Sequence, residues 1–502
     1  MNEAFLLEQL SFYLAHLDNN YIAVNNWHGE AAVRLMEKFI ETGLSLGDEQ
    51  SAETYEMVFA AWLGTFFLDL HHYISLRPFY SHEQWMEFFN EAEKHKVNGD
   101  DLLERVECWG LENYSYHGDA YDCEVEKGDI VIDLGAFTGN TPIYFAQKTG
   151  VTGHVYAFEA TPKTVEILRE NLALKHVANV SVIPLAVSDK EEILYFPVTS
   201  SGTNKAVASG VKVSAVPLDL WVEQNEIKQI DFIKMDIEGA EMSAIEGAKN
   251  TIKRFSPKLA ISVYHNPEHF FTVPKKVLSI NPNYKLFVNH GSRDLSETCM
   301  FFLPAKEACQ FPVVPNLDQI KNLYFSAYQA LRTKVHTAFF DKVICYTNIK
   351  HNLIDMPVEF FFLYNESFIK IPFSRIEGAF YKITIRDRRI DIELHFENIK
   401  ETLTATEQEK IASFYKTVKA KYPFIMTWES YIELNLYFYL RQTKDTELLK
   451  YDIHRYKDIS EQVSDYLALL IQETLPFLIE NGFVSGEHLF FWRNIKVAPV
   501  VK

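Results

Sequence analysis

A short series of acidic side chains and one histidine, each set at the end of an apolar run, carries the chemistry this chain could do. The run Ile130-Val131-Ile132 ends in Asp133, and a turn with Gly135 and Gly139 follows. A helical pattern begins at once, with Ile143, Phe145 and Ala146 apolar. A strand, a glycine turn and a helix form the signature of a nucleotide-type cofactor site, because glycine turns sharply and admits a ligand where a Cβ would collide. Glu159 closes the next apolar run, roughly 20 residues past the turn, where a carboxylate meets a ribose diol. A second constellation, Asp236-Ile237-Glu238-Gly239-Ala240-Glu241, follows the run at Phe232. His265 stands just beyond a further run, Leu259 to Val263.

A dinucleotide site favours three glycines, with the third packing helix on strand. Here an acidic residue precedes the first glycine. A carboxylate there repels a diphosphate but suits an ammonium group. S-adenosylmethionine carries an ammonium, a sulfonium and a ribose, so it is the better match. The cofactor site is expected to use Asp133, Gly135, Ala136, Phe137, Gly139, Asn140 and Thr141 around the first turn. Glu159 and Ala160 follow the second strand, Ala186 and Val187 end the third and meet the adenine edge, and Asp236 lies beside the methyl group. Asp133 serves the methionyl end, directly or through water. Catalysis is assigned to His265, Asp236, Glu238 and Glu241. Either His265 or Asp236 removes the acceptor's proton, and the two glutamates position substrate hydroxyls or a divalent cation. Both glutamates would also suit a helix N-terminus for purely structural reasons. An oxygen-rich set is compatible with Mg²⁺, but no spacing requires it and no dedicated metal ligands are assigned.

The elements that must position these groups divide the chain into three regions: helical at 1–112, alternating strand and helix at 113–305, and α+β at 306–502. In the first, Leu6, Leu10, Tyr13, Leu14 and Leu17, then Val33, Met36, Phe39 and Ile40, then Tyr55, Phe59, Trp62, Leu63 and Phe66, recur at helical spacing, and Trp85, Phe88, Phe89 and Ala92 suggest a fourth helix. This region reads as a module packed on its neighbour, or more sharply as a lid over an active site. In the second, strands are expected at 130–133, 154–158, 180–186, 232–236, 259–263, 284–288 and 298–303. Helices are expected at 162–175 and 238–252. That order predicts an α/β, Rossmann-like, doubly wound parallel sheet with an antiparallel tail. In the third, Phe380 to Phe396 reads as a hairpin about a charged turn, 431–440 alternates similarly, and helices fit 407–421 and 460–480. Glu393 and His395 lie in the opposite phase from Ile392 and Leu394, as on a solvated sheet face rather than in a metal site.

The bulk numbers exclude several classes. A net charge of −19 and the lack of a Lys/Arg cluster argue against nucleic acid. Five scattered cysteines with no Cys-x-x-Cys argue against zinc or a disulfide framework and suit a reducing cytoplasm. No apolar run is long enough to span a bilayer.

The chain resembles the FkbM family of S-adenosylmethionine-dependent methyltransferases over roughly residues 125–305. The resemblance rests on Ile132 to Gly139, Ala157-Phe158-Glu159, Asn179 to Asp189, Lys234 to Glu241 running to Ala248, and Glu297-Thr298. It implies a class I methyltransferase sheet and O-methylation of a sugar, glycan or natural-product hydroxyl. One departure is visible: the family's Phe-Glu-Pro is here Phe158-Glu159-Ala160-Thr161-Pro162. N-methylation or a protein or nucleic-acid substrate is an alternative, and a non-catalytic cofactor-binding assembly protein is another. The expected partner is a small-molecule or carbohydrate acceptor. Acceptor choice would sit in loops such as 199–213 and 266–273. The sequence leaves oligomeric state open, a homo-oligomer included.

Overall fold

The computed structural model describes residues 1–16, 27–68, 70–99, 102–196, 207 and 210–331, then 359–363, 366–372, 379–386, 389–396, 403–421, 425–429, 434–439 and 456–481. Two compact units result. One comprises 1–12, 27–65 and 70–321; the other comprises 13–26, 66–69 and 322–502.

The first unit is built on seven strands: β1 (Ile130–Leu134), β2 (His154–Phe158), β3 (Val180–Ile183), β4 (Phe232–Met235), β5 (Lys258–Ser262), β6 (Tyr284–His290) and β7 (Thr298–Pro304). Their order in the sheet is β6-β7-β5-β4-β1-β2-β3. The five strands from β5 to β3 are parallel, and β7 runs antiparallel to both its neighbours. The expected doubly wound sheet with an antiparallel tail is therefore present. All four residues of β4 are buried, as an apolar strand covered on both faces requires. Strand order reverses between β1 and β4, so a ligand crevice belongs at the carboxyl ends there.

Two expected elements are subdivided. The strand expected over 180–186 stops at Ile183, because Pro184 has no N–H to continue the ladder. Ala186-Val187 instead joins a small separate sheet with Glu192–Phe196 and Val211–Val216. The helix expected over 238–252 becomes Glu241–Gly247 and Lys249–Phe255. Gly247 is pressed against Ser188, whose carbonyl oxygen lies 2.0 Å from where a Cβ would stand.

The N-terminal helices belong to the same compact unit as the sheet. Helix Glu49–Gly64 is capped by Asp48, which accepts from Ser51 N at 2.9 Å. It packs along β6, where Val288 N donates to Ser51 Oγ at 3.1 Å and Gly47 N donates to the Leu286 carbonyl at 2.7 Å. The edge of the sheet is thereby covered. Phe39 and Phe270 meet at 5.6 Å and add an apolar seam to helix His269–Ile280.

In the second unit, six antiparallel strands lie in the order 359–363, 366–372, 379–386, 389–396, 434–439, 425–429. Ala379–Arg386 and Arg389–Phe396 pair as the expected hairpin, with Ile383 opposite Ile392; residues 387–388 of its turn lie outside the described residues. Tyr381, Ile383, Ile392 and Leu394 are buried, and the Tyr381 hydroxyl meets Thr474 Oγ1 at 2.6 Å on helix Tyr456–Glu480.

The sharpest constraint in the fold falls at Gly135. Its φ is +89°, and a Cβ there would sit 1.9 Å from the Asp236 carbonyl oxygen. Gly135→Ala combines left-handed strain with a backbone collision, and the expected cost is at least about 2 kcal/mol in urea unfolding. A loss under about 0.5 kcal/mol, the range of an inert surface change, would contradict this packing.

Candidate active site

A cavity of about 460 Å³ opens at the carboxyl ends of β1, β2, β4 and β5. That volume lies within the range of small-molecule and cofactor sites. Of the expected site residues, Gly135, Phe137, Thr141, Glu159, Ala160, Ala186, Val187, Asp236 and Glu238 line it. Asp133, Ala136, Gly139, Asn140, Glu241 and His265 are not in its wall.

At one end stands Glu159. Its Oε2 accepts from Phe137 N at 3.1 Å and its Oε1 from Thr161 N at 2.7 Å. Burial raises its pKa, opposed by these N–H groups. Each oxygen keeps a further lone pair, so the carboxylate is oriented yet able to accept from two hydroxyls. The shift from Phe-Glu-Pro leaves this carboxylate in place, with Thr161 supplying one of its anchors.

Asp133, expected to serve the methionyl end directly or through water, is not in the cavity wall. It is fully buried beneath the turn, where Thr141 Oγ1 donates to Oδ2 at 2.7 Å and Lys234 Nζ lies 3.2 Å from Oδ1. Lys234 also donates to the Gly135 carbonyl at 2.6 Å. Burial alone would lower the Lys234 pKa, but Asp133 and Asp236 raise it. Ala136 packs with Ile143, Ala157 and Leu168, Gly139 begins the following helix at φ +114°, and the Asn140 side chain accepts from Trp109 Nε1 at 3.3 Å. These three shape the turn rather than the cavity wall.

At the other end lie Asp236, Glu238, Tyr264 and Glu297. The Tyr114 hydroxyl donates to Asp236 Oδ2 at 2.6 Å, while Oδ1 has no hydrogen-bond partner. Burial and the Asp236 charge push Glu297 up to about 8, partly offset by the Tyr264 hydroxyl. Burial and the neighbouring Asp236 and Glu297 raise Tyr264 in turn. Phe137, Glu238 and Glu297 all hold positive φ, at 42°, 59° and 53°. Non-glycine residues in that region carry backbone strain, which gathers at functional sites.

Glu241 does not line the cavity. It is fully buried, and its Oε1 accepts from Ile237 N at 3.1 Å and Gly239 N at 3.2 Å, closing the turn that presents Asp236 and Glu238. His265 Nδ1 lies 3.0 Å from Glu241, and His265 Nε2 lies 3.6 Å from both Asp236 and Glu238. Burial opposes a charge on His265, but Glu238, Glu241 and Asp236 outweigh it and raise the ring to about 10. The two histidines, His265 and His269, pull Glu241 down against its burial. Ligand atoms of Asp236, Glu241 and His265 fall within 4.8 Å of one another, a spacing a metal ion could bridge. At neutral pH the imidazolium already supplies a cation there.

Sequence reasoning missed Tyr114, Lys234, Tyr264 and Glu297 as site members. It also missed Leu103, Glu104, Glu107 and Cys108, which line the cavity from the N-terminal region. Lys234 had a readable signal, a lysine inside an apolar strand. Glu104 and Glu107 had none. Of the suggested acceptor loops, residues 199–206 and 208–209 lie outside the described residues. No helix among the described residues is long and apolar enough to cross a membrane.

Residues 122–300 match the family model described as a Methyltransferase FkbM domain. The hexuronic acid methyltransferase AglP of Haloferax volcanii is 29% identical over 136 residues, covering 26% of this chain and 54% of that protein. The chain thus spans about half the length of that curated relative. A crystal structure of methyltransferase FkbM from Methylobacillus flagellatus KT aligns with a TM-score of 0.39 at 20% identity, covering 56% of this chain and 61% of that one. An O-methyltransferase from Bacillus cereus, in complex with SAH, aligns with a TM-score of 0.26 at 14% identity, covering 46% of this chain and 95% of that one. Residues 122–300 are thus similar to the FkbM methyltransferase domain, with further chain on either side of the match.

Proposed function

We propose that the protein is an S-adenosylmethionine-dependent O-methyltransferase acting on a hydroxyl of a sugar or related polyol. The observation that carries this reading is a single cavity lined by both an oriented carboxylate able to accept from a diol, Glu159, and a carboxylate with one oxygen free of hydrogen bonds, Asp236. Similarity to a methyltransferase of hexuronic acid supports the sugar class. When bound, S-adenosylmethionine supplies a methyl group already activated on a sulfonium. Glu159 would receive the ribose hydroxyls. The acceptor hydroxyl would sit at Asp236, whose carboxylate would take the proton released as the hydroxyl oxygen gains the methyl carbon and the carbon–sulfur bond breaks to leave a neutral thioether. Tyr114 fixes one of its oxygens, so the carboxylate does not rotate away. His265 is a positioning residue, since an imidazolium has no free lone pair with which to accept a proton and the ring stands behind Asp236 and Glu238.

Glu159→Gln keeps the shape but weakens hydrogen bonds made to a charged acceptor, so calorimetry is expected to show S-adenosylmethionine binding about 10- to 100-fold weaker. Unchanged affinity would remove Glu159 from the ribose. Asp236→Asn is expected to lower kcat by roughly 10²- to 10⁴-fold while cofactor affinity stays within a few-fold, as loss of a general base requires. Full turnover in that variant would rule out Asp236 as the base. Labelled cofactor that binds but transfers to no acceptor in cell extracts would favour the alternative of a non-catalytic assembly protein. Label on protein or nucleic acid would favour a macromolecular substrate.

The charge on His265 also has a stability signature. Its folded-state pKa, about 10, lies above the ordinary 6.5. The stabilisation is therefore complete below pH 6.5 and is lost as pH rises through about 10. His265→Gln is expected to cost most stability in urea below pH 6.5, with the difference from wild type shrinking towards pH 10. A pH-independent difference would show that the ring is neutral in the folded protein.

A further inference from the structure

Glu104, Glu107, Glu159, Asp236, Glu238 and Glu297 all line the cavity. The one Lys or Arg among the described lining residues is Lys234, and it is committed to Asp133 and to the Gly135 carbonyl. The acceptor end itself holds Asp236, Glu238 and Glu297, with the Tyr264 hydroxyl on Glu297 and the Tyr114 hydroxyl on Asp236. These groups offer a hydroxylated ring many hydrogen-bond acceptors. A carboxylate on the ring would meet like charge, with no guanidinium or free ammonium among the described lining residues to receive it, since the His265 imidazolium stands behind Asp236 and Glu238 and outside the wall. From this balance we infer that the acceptor carries no negative charge. It is a neutral or amino-bearing sugar rather than a uronic acid, so this chain departs from its hexuronic acid-methylating relative in the charge of its substrate. The inference rests on the sugar O-methyltransferase reading above and narrows it.

An ammonium on the ring would instead be attracted to Asp236 and Glu238, and Glu297 adds its charge as pH rises through about 8. Discrimination against a uronate should therefore widen above that pH.

The test uses the full-length protein with labelled S-adenosylmethionine and matched methyl glycosides of the gluco, galacto and manno series. Each is supplied as the neutral hexose, the amino sugar and the uronate, with and without added Mg²⁺. The expected result is transfer to neutral or amino sugars, with kcat/KM for the matching uronate at least about 100-fold lower, the effect of juxtaposing like charges. Glu238→Gln is expected to narrow that ratio by about tenfold, since it removes one of the opposing charges. Because the ratio compares two acceptors on one variant, a general loss of activity cancels. A uronate used as well as or better than its neutral counterpart, with or without Mg²⁺, overturns the charge inference and leaves the sugar reading standing. Cofactor binding with no transfer to any of the sugars overturns the sugar reading, and the inference with it.

Discussion

The ion pair between Asp133 and Lys234 is the interaction on which both ends of the cavity depend. Parallel pairing of β1 with β4 sets the two residues opposite each other, so the contact follows from strand register rather than from flexible side chains. Both are buried, with side chains 0% and 2% exposed. Taking two charges out of water is expensive, and their attraction offsets this only when the remaining donors and acceptors are also satisfied. Here Thr141 covers the second Asp133 oxygen and the Gly135 carbonyl receives Lys234. Removing one partner of such a pair costs about 3–5 kcal/mol, whereas exchanging both for apolar residues is often neutral. Stability alone therefore does not explain the pair. What it adds is position, since Lys234 pins the glycine turn to β4. The turn then holds Phe137 N against Glu159, and β4 carries Asp236, whose N–H bonds Leu134.

The acidic end is organised by a similar division between groups facing inward and groups facing the cavity. In Asp236-Ile237-Glu238-Gly239-Ala240-Glu241, the first and third residues line the cavity while the last turns back into the protein. Glu241 satisfies two turn N–H groups and meets two histidines, which explains why a fully buried carboxylate there keeps its charge. His265 then passes that order forward to Asp236 and Glu238. The strain at Glu238 and Glu297 is held by these bonds and by Gly291 N on the Glu297 carbonyl. A less tightly bonded turn would relax it and move both carboxylates.

Much of the sheet was legible because buried parallel strands read as short apolar runs closed by glycine or acidic residues, as at Ile130 to Asp133 and Phe232 to Asp236. The strand at 180–186 was misjudged where the apolar pattern continued past Pro184, and only backbone hydrogen bonding separates the two pieces. Gly135, Glu159 and Asp236 were legible as cavity residues, since a strand's carboxyl end fixes where they project. The directions of Asp133 and Glu241 were not. Each sits where a side chain can face either the crevice or the interior, and the choice depends on partners distant in sequence: Lys234 for one, His265 and His269 for the other. Tyr114 and Glu297 were hidden for the same reason, being brought to Asp236 from segments 122 and 61 residues away in sequence.

The least legible part of the cavity comes from outside the matched domain. Leu103, Glu104, Glu107, Cys108 and Tyr114 all line it, and all precede residue 122, where the family match begins. Their placement depends on how the N-terminal helices are fastened. Gly47 bonds Leu286, Ser51 bonds Val288, and Asp48 accepts from the Tyr116 hydroxyl at 2.7 and 2.8 Å, so the segment entering Tyr114 is held to the same edge of the sheet as helix Glu49–Gly64. The short π-helical turn Val106–Gly110 then lies against the helix that follows the glycine turn, with Trp109 bonded to Asn140. A domain cut to residues 122–300 would keep Glu159 and Asp236 but lose the wall carrying Glu104 and Glu107, and the hydroxyl that holds Asp236. The N-terminal region is therefore part of the cavity's structure, and the cavity's acidic character is set by both segments together.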